Sequence, residues 1–423
     1  MSSPGHLIQI AQNTALALAV ASFSLFGLYF LWLFTTQIMA LFLQRGEDGS
    51  GNDGMAPTTR FAVLVCACNE ECVIARLVES LRTQEYDREL FDVFVVAHNC
   101  TDATAQAARE SGAHVFICNA PGERRKAYAL THGIREIRRL PVSYDAFAFF
   151  DADNVADPFF LTCADRALVR GADVVQGKYS SYNYHENAIS ELSGALWLQT
   201  FHTQSITFTR MGLPVLVYGT GFVLRASALG PDGWPTATLV EDFEMSIMLA
   251  LADRNMVGNG GMRTYAEQPL RFRDALEQRR RWAVGDMQCL RRYFFPILRA
   301  IPQKGIHAVK ILIDLLLSVA LIGFAAGVIF LVAFVALSGL SLTVFLSIAA
   351  ALVGAYWLLV DVQSLIMFRK EGMRIRDNMA TLALFPFWII LSSPLACYAL
   401  FVKNVEWKRA PRRGKGAGIK SES

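Results

Sequence analysis

The stretch that decides the fold is Phe147-Ala-Phe-Phe150, which runs directly into Asp151-Ala152-Asp153. Four consecutive apolar residues predict a buried strand. Residues i and i+2 of a strand point the same way, so we expect Asp151 and Asp153 to converge at its end. Like charges in an apolar setting need a cation or a hydrogen-bond network. A hard divalent ion, Mg²⁺ or Mn²⁺, fits this pair, and a surface turn with capping aspartates is the ordinary alternative.

Strand and helix patterns alternate before this strand. We predict strands at Phe61–Cys66, Phe91–Ala97 and His114–Cys118, and helices over Val73–Leu81, from Thr104 and after Lys126. This alternation predicts an α/β sheet covered on both faces by helices. Ligands of such folds gather at the carboxyl ends of the strands. Asn69, Asp102 and Lys126 lie just past predicted strand ends, so we expect them to share one site.

The chain is 53% hydrophobic, and the excess lies in four apolar windows: about Thr14–Leu43, Val309–Leu337, Leu340–Phe368 and Met379–Val402. Each window has the roughly 20 residues that a helix needs to cross about 30 Å of hydrocarbon. The first is expected to be a retained membrane helix and not a signal peptide, because Met1–Gln12 contains no Lys or Arg. We therefore predict an integral membrane protein with one large aqueous domain.

Six segments follow from these patterns. They are an N-terminal transmembrane helix (1–44), a Gly/Asp/Ser-rich linker (45–58), the aqueous domain (59–285), an interfacial amphipathic segment (286–304), about three transmembrane helices (305–402) and a basic tail (403–423).

The formal net charge of +3 gives no nucleic-acid footprint. The basic residues are concentrated in two places, four within Arg369–Arg376 and seven after Val402. The positive-inside rule places both in the cytoplasm, together with the aqueous domain of a cell-membrane protein. Three crossings after a cytosolic domain would instead leave the tail outside. Either the last apolar stretch is re-entrant, broken at Pro386 or Pro394, or the rule fails here.

Two more motifs follow the acidic strand end. Glu241-Asp242 opens an amphipathic helix, and Gln278-Arg-Arg-Arg281-Trp282 precedes an aromatic segment before the membrane. Each has an ordinary explanation: helix capping for the carboxylates, and a headgroup-facing surface with an interfacial Trp for the second motif. Their occurrence together, in this order, favours one shared functional site.

In this order, and flanked by membrane helices, four motifs resemble those of the processive-type family 2 glycosyltransferases: Asn69-Glu-Glu71, Asp151-Ala-Asp153, Glu241-Asp242 and Gln278-x-x-Arg281-Trp282. That group includes the cellulose, chitin, hyaluronan and poly-N-acetylglucosamine synthases. The resemblance covers roughly residues 60–300, and the last motif is the most specific. It implies a GT-A fold with a Rossmann-like mixed sheet, a UDP-sugar donor, Mg²⁺ or Mn²⁺, and inversion at the anomeric carbon.

The resemblance also implies a role for each matching residue. Asp242 would be the general base beside Glu241, Arg281 would stabilise the diphosphate, and Asp153 would bind the metal with Asp151. The donor would contact Asn69, Glu71, His98, Asp102, Lys126 and Asp151, and the acceptor would contact Trp282, Gln278 and Gly221. Two positions depart from the pattern: Ala97-His98 replaces an acidic pair, and Val240 replaces a Thr. His98 either hydrogen-bonds a base edge or is a helix-start residue without a ligand.

Three functions remain open from the sequence. The first is a processive synthase that extrudes a glycan between the C-terminal helices. The second is a single-transfer enzyme acting on a lipid or lipid-linked acceptor. The third is a catalytically silent membrane subunit that binds nucleotide or glycan, a reading that His98 suggests and that intact Asp153 and Asp242 oppose. Membrane lipids are expected partners, and the sequence does not fix the sugar, the linkage or any partner subunit.

Overall fold

A computed structural model describes residues 4–42, 56–231 and 233–405. Its helices are α1 Pro4–Leu41, α2 Ile74–Arg82, α3 Thr104–Glu110, α4 Lys126–Arg138, α5 Phe160–Val169, α6 Ala188–Thr200, α7 Thr207–Met211, α8 Glu241–Leu251, α9 Phe272–Lys304, α10 Ile306–Leu315, α11 Leu317–Ser338, α12 Leu342–Lys370, α13 Met379–Ile390 and α14 Ser392–Ala399. Its strands are β1 Phe61–Ala67, β2 Phe91–His98, β3 His114–Cys118, β4 Ala146–Asp151, β5 Val155–Ala156, β6 Val174–Ser181, β7 Phe222–Arg225 and β8 Met256–Ala266. Residues 43–55, which include most of the predicted linker, and residues 406–423, which form most of the predicted tail, lie outside the described residues.

The strands form one mixed sheet in the order β3-β2-β1-β4-β7-β6-β8-β5. Strands β1 to β4 pair in parallel, whereas β7 is antiparallel to both β4 and β6. The predicted α/β sheet is confirmed, and the carboxyl ends of β1, β2 and β4 meet at one edge. The loops that carry the predicted site residues leave the sheet from this edge.

Both faces of the sheet are buried. Along β1, Ala62 and Leu64 enter one apolar core, and Phe61, Val63 and Val65 enter the core on the other face. Alternate side chains of a strand point to opposite faces, so a strand with helices on both sides is apolar at every position. This explains why the central strands appear in the sequence as uninterrupted apolar runs.

Helix α9 runs without a break from Phe272 to Lys304. The boundary predicted between residues 285 and 286 therefore falls inside one helix, which joins the aqueous domain to the membrane region. A Cβ added at Gly285 would lie 2.6 Å from Val240 Cγ1, so α9 packs closely on the segment that opens α8. The glycine allows this approach and thereby fixes the position of the Gln278–Trp282 motif relative to Glu241 and Asp242.

Four stretches of the described chain are long and apolar enough to cross a membrane: Gly5–Met39, Leu317–Ser338, Thr343–Lys370 and Ile375–Ala399. The stretch predicted over Val309–Leu337 is interrupted at Leu316, because α10 ends there and α11 begins after it. Helix α10 carries a buried ion pair, with Lys310 Nζ 2.6 Å from Asp314 Oδ2. The candidate span therefore starts at Leu317, after these two charges.

The last stretch is also divided, at Leu391 between α13 and α14, whereas Pro386 lies inside α13 and Pro394 lies in the first turn of α14. Arg279 of α9 occupies this break. Its guanidinium donates to the Trp388 carbonyl and, at 3.2 Å, to Ser392 Oγ, and it lies 4.2 Å from the Trp388 ring centroid. The guanidinium thereby satisfies a carbonyl in the last turn of α13, which lacks a partner within its own helix.

We predict that Gly285→Ala lowers the melting temperature of the detergent-purified protein by several degrees. The new methyl group would overlap Val240, and overpacking of this kind costs about 1–3 kcal/mol, more than the helix propensity that Ala adds. Gly354→Ala on α12 is the matched control, because no atom lies within 4 Å of its added Cβ. A Gly285→Ala protein as stable as the parent would contradict this packing.

Candidate active site

Lys126 links three elements at the edge of the sheet. Its ammonium donates to Asp151 Oδ1 at 2.5 Å and to the Gly219 carbonyl at 2.7 Å, and it lies 3.7 Å from Glu241 Oε1. Lys126 begins α4, Asp151 ends β4 and Glu241 begins α8. Burial by itself would lower the Lys126 pKa, but Asp151 and Glu241 outweigh it, so the pKa is raised and the ammonium stays charged.

Gly219 brings the main chain close to Asp242. Its φ of +74° is in the left-handed region, and a Cβ there would lie 2.9 Å from Asp242 Oδ2. Gly221 has a different environment from the one predicted. Its N–H donates to the Phe149 carbonyl, and an added Cβ would lie 2.5 Å from Thr264 Oγ1. The structure therefore gives Gly221 a role in the backbone of the sheet, and its contact with an acceptor stays a prediction.

Asp242 is a half-buried carboxylate in the first turn of α8. Burial and, after it, the neighbouring Glu241 raise its pKa, while Lys126, the Phe243 N–H and Arg281 lower it, and the net pKa is about 7. The Phe243 N–H donates to Asp242 Oδ1 at 2.8 Å. A carboxylate with a pKa near neutrality can accept and release a proton under physiological conditions.

Helix α9 supplies the second half of the site. Gln278, Arg281 and Trp282 stand at positions i, i+3 and i+4, so they share one face of the helix. The charge of Arg281 reaches Asp242 and helps to lower its pKa. The Trp282 ring packs edge-on against Trp197 of α6, with centroids 5.3 Å apart. Within this motif, Arg281 therefore faces Asp242, and Trp282 faces an aromatic surface.

Three further rings extend the aromatic surface. Trp197 lies 4.9 Å from Tyr179 and 5.8 Å from Tyr218, measured between ring centroids. Tyr218 directly precedes Gly219, whose carbonyl binds Lys126. We call Tyr179, Trp197, Tyr218 and Trp282 the aromatic cluster. All four rings are only partly buried, so the cluster presents apolar ring surface next to the charged groups.

Asn69, Glu71 and Asp102 interlock the loops that follow β1 and β2. Asn69 Oδ1 accepts the Thr101 N–H at 2.7 Å, and Glu71 Oε2 accepts the Ala103 N–H at 2.9 Å. The Glu71 N–H in turn donates to Asp102 Oδ2 at 3.4 Å. The structure brings these three predicted donor residues together, but in a group separate from the Lys126–Asp151 pair.

His98 is buried at the end of β2, where its ring stacks on Tyr128 with centroids 5.9 Å apart. Burial lowers its pKa, which favours the neutral ring. The next residue, Asn99, has a φ of +52° and binds the Ala120 and Glu123 carbonyls at 2.9 Å each. Asn99 thereby anchors the loop before Lys126, a role that the sequence analysis missed.

Asp151 and Asp153 differ in their surroundings. Strand β4 ends at Asp151, and Asp153 lies in the turn before β5, so the pleat expected to align the two carboxylates ends before Asp153. Asp153 is buried and accepts the Asn154 Nδ2–H at 3.2 Å. Among the described residues no three His, Cys, Asp or Glu side chains form a metal cluster. This donor set fits Mg²⁺-type binding, in which one or two carboxylates share the ion with substrate phosphates and water.

Asp286 is a further carboxylate near Asp242, and the sequence analysis missed it. It lies on α9 one turn after Trp282, and burial raises its pKa to about 7, with Asp242 adding to the effect. Its spacing of four residues from Trp282 was the available signal. Trp197 was missed as well, because an apolar residue in a helix between two strands is typical of a core position.

Comparison with known proteins identifies the family. The sequence model of the family described as "Glycosyl transferase family group 2" matches residues 146–359, just over half of the chain. The beta-monoglucosyldiacylglycerol synthase of Nostoc sp. is 29% identical over 252 residues, which cover 56% of this chain and 51% of that protein. The probable glycosyltransferase YdaM of Bacillus subtilis is 23% identical over 322 residues, which cover 67% of this chain and 73% of YdaM. The chain thus spans about half the length of the first of these relatives.

A plant relative and a solved structure extend the comparison. Glucomannan 4-beta-mannosyltransferase 7 of Arabidopsis thaliana is 29% identical over 182 residues, which cover 41% of this chain and 32% of that protein. The mannosyltransferase PcManGT of Pyrobaculum calidifontis was solved with GDP-Man and Mn²⁺. It superposes on this chain with a TM-score of 0.59 at 18% sequence identity, and the match covers 92% of this chain and 99% of the PcManGT chain. This superposition confirms the predicted GT-A fold. The chain belongs to the glycosyl transferase family group 2.

Proposed function

We propose that this chain transfers a sugar from a nucleotide-sugar donor to an acceptor hydroxyl at the membrane surface, with inversion at the anomeric carbon. The observation that carries the proposal is the raised pKa of Asp242. Burial and the neighbouring Glu241 raise its pKa to about 7 against the opposing charges of Lys126 and Arg281. A general base works best when its pKa lies near the working pH.

The reaction we propose is a single displacement. The acceptor oxygen bonds to the anomeric carbon as the bond from that carbon to the diphosphate breaks, and the hydroxyl proton passes to Asp242. Arg281, whose charge acts on Asp242, would stabilise the negative charge that grows on the leaving diphosphate. Lys126 holds Asp151 and Glu241 in place, and Asn69, Glu71, Asp102 and His98 line the loops where we expect the nucleotide.

We further propose that Mg²⁺ or Mn²⁺ binds with the donor, held by Asp153 and Asp151. The similar fold of PcManGT was solved with GDP-Man and Mn²⁺, which supports the assignment. Such an ion would neutralise the diphosphate charge. PcManGT was solved with a GDP-sugar, so the assay below includes GDP-sugars, and we retain UDP-sugar as the proposed donor.

For the acceptor we favour a membrane lipid and one transfer per acceptor. The relatives named beta-monoglucosyldiacylglycerol synthase support this choice. The second candidate is processive glycan synthesis, which the aromatic cluster favours, because aromatic rings stack on the apolar faces of sugars. The glucomannan mannosyltransferases among the relatives support that candidate too. A silent binding subunit would not need the raised pKa of Asp242.

Asp242→Asn should reduce turnover by about 10²–10⁴-fold, the usual contribution of a positioned general base. Free nucleotide diphosphate would be measured with a panel of UDP- and GDP-sugars, Mg²⁺ or Mn²⁺ and membrane lipid. In the parent enzyme kcat should be low below pH 7 and rise to a plateau above it, since only ionised Asp242 accepts a proton.

Asp377→Asn, which alters an exposed carboxylate in the loop before α13, is the matched control and should leave turnover unchanged. Full turnover in Asp242→Asn would refute the general-base role. Product length separates the acceptor classes: one sugar per acceptor supports the lipid enzyme, whereas long chains from single binding events support the processive synthase.

We also propose that α1, α11 and α12 cross the membrane, whereas α13 and α14 form a re-entrant hairpin. One end of the hairpin is tied to the aqueous domain by Tyr184, whose hydroxyl donates to Asn378 Oδ1 at 3.2 Å. The other end is tied to α9, because Gln288 Nε2 donates to the Lys403 carbonyl at 2.7 Å. Both ends therefore lie on the side of the catalytic domain, which supports a re-entrant path.

Burial and charge agree with this arrangement. In the most apolar part of the Ile375–Ala399 stretch 39% of the residues are buried, against 6% in the corresponding part of Thr343–Lys370. The higher share is expected for a segment that packs on protein and not on lipid alone. Helix α12 returns to the catalytic side, where Glu371 accepts from His202 Nε2 at 2.7 Å. With this path, the basic loop Arg369–Arg376 and the basic tail both lie in the cytoplasm, and the positive-inside rule is satisfied.

Reporter fusions test this topology. Green fluorescent protein joined after Ser423 should fluoresce in a bacterial host, and alkaline phosphatase joined there should be inactive, because the tail is cytoplasmic. Fusions after Leu340, between α11 and α12, are the control and should give the opposite result. An active phosphatase after Ser423 would show that the last stretch crosses the membrane.

A further inference from the structure

A cleft of about 440 Å³ lies between α9, the loop before α8 and the residues that follow α14. It is separate from the Asp242 site and contains no acidic side chain in its lining, which consists of Ala237, Thr238, Gln288, Arg291, Arg292 and Lys403. Three of its six lining residues are cations. The cleft is therefore built for an anion.

The position of the Arg291 cation is fixed without being neutralised. Arg291 Nη2 donates to the Leu400 carbonyl at 2.8 Å and to the Ala399 carbonyl at 3.4 Å, and both acceptors are uncharged. Among the described residues Arg292 has one acidic neighbour, because its Nε lies 3.5 Å from Glu244 Oε1. Glu244 is fully buried and also accepts the Ala237 and Thr238 N–H groups. In the described part of the chain, one buried carboxylate thus accompanies the three cations of the cleft.

The surroundings of the cleft are those of a bilayer surface. Phe401, which follows α14, is 85% exposed, and Phe295, one turn after Arg291 on α9, is 65% exposed. Exposed aromatic rings beside basic residues at the end of a membrane-embedded helix are typical of the headgroup level. An anion at this depth is supplied by the lipid itself, and arginine guanidinium groups match phosphate oxygens in charge and geometry.

We propose that this cleft binds the phosphate headgroup of an anionic phospholipid. The rings of Phe401 and Phe295 would contact the acyl region, while Arg291, Arg292 and Lys403 meet the phosphate. A zwitterionic headgroup carries its own cation, which the same positive field repels, so the cleft should prefer phosphatidylglycerol to phosphatidylcholine. The inference rests on the re-entrant hairpin proposed above, which puts Lys403 on the catalytic side.

The proposal is tested by lipid binding to the full chain in mixed micelles. The two readouts are native mass spectrometry and thermal melting. Phosphatidylglycerol should raise the melting temperature and stay bound, because a ligand that binds the folded state stabilises it. Phosphatidylcholine and free inorganic phosphate should do neither. The double variant R291Q/R292Q should weaken phosphatidylglycerol binding about 25-fold, since each basic residue near an anionic lipid contributes roughly a factor of five.

The matched control is Arg299→Gln, which removes an exposed arginine of the same helix outside the cleft and should leave binding intact. Lys403→Gln, on the far wall, should weaken binding even if the double variant fails to fold. Equal binding of the two lipids would overturn the proposal. So would equal stabilisation by inorganic phosphate, which would indicate a soluble-anion site, or an equal loss in Arg299→Gln, which would indicate a diffuse basic surface. None of these readouts depends on turnover or on the fusion reporters.

Discussion

The catalytic half of this protein depends on one ammonium group. Lys126 donates to Asp151 and to the Gly219 carbonyl and lies close to Glu241. The carboxylates on β4 and α8 would repel each other at the edge of the sheet, and the cation between them offsets that repulsion. Because the same ammonium lowers the pKa of Asp242, which burial and Glu241 raise, it also extends the action of the proposed base to lower pH.

The second constraint couples this site to the membrane. Within the Gln278–Trp282 motif, Arg281 and Trp282 face the catalytic side, while Arg279 points to the break between α13 and α14 and binds the Trp388 carbonyl. One turn of α9 therefore acts on the proposed base through Arg281 and contacts the proposed re-entrant hairpin through Arg279. Gly285, one turn further along, holds α9 against Val240. A lipid acceptor that reaches Trp282 would lie beside membrane-embedded protein.

Much of the fold could be predicted because its signals are local. Apolar runs marked β1 to β4 correctly, and the order of motifs indicated the family. The split at Leu316 could not be seen in a hydropathy window, because an average over about 19 residues stays apolar even where it includes the ion-paired Lys310 and Asp314. The site was predicted in part: Asp242, Lys126 and Arg281 do interact, but the alignment of Asp151 with Asp153 assumed a strand that ends too early. Trp197 depends on tertiary packing, which no local pattern reveals.

The pH dependence of turnover in Lys126→Met tests the central electrostatic claim most directly. Methionine keeps the shape of the side chain and removes its charge, so the pKa of Asp242 should rise above its value in the parent enzyme. With saturating donor, the rising limb of kcat against pH should then move to higher pH, because the base loses its proton later. A rising limb that stays in place, or moves to lower pH, would contradict the claim that Lys126 lowers the pKa of Asp242.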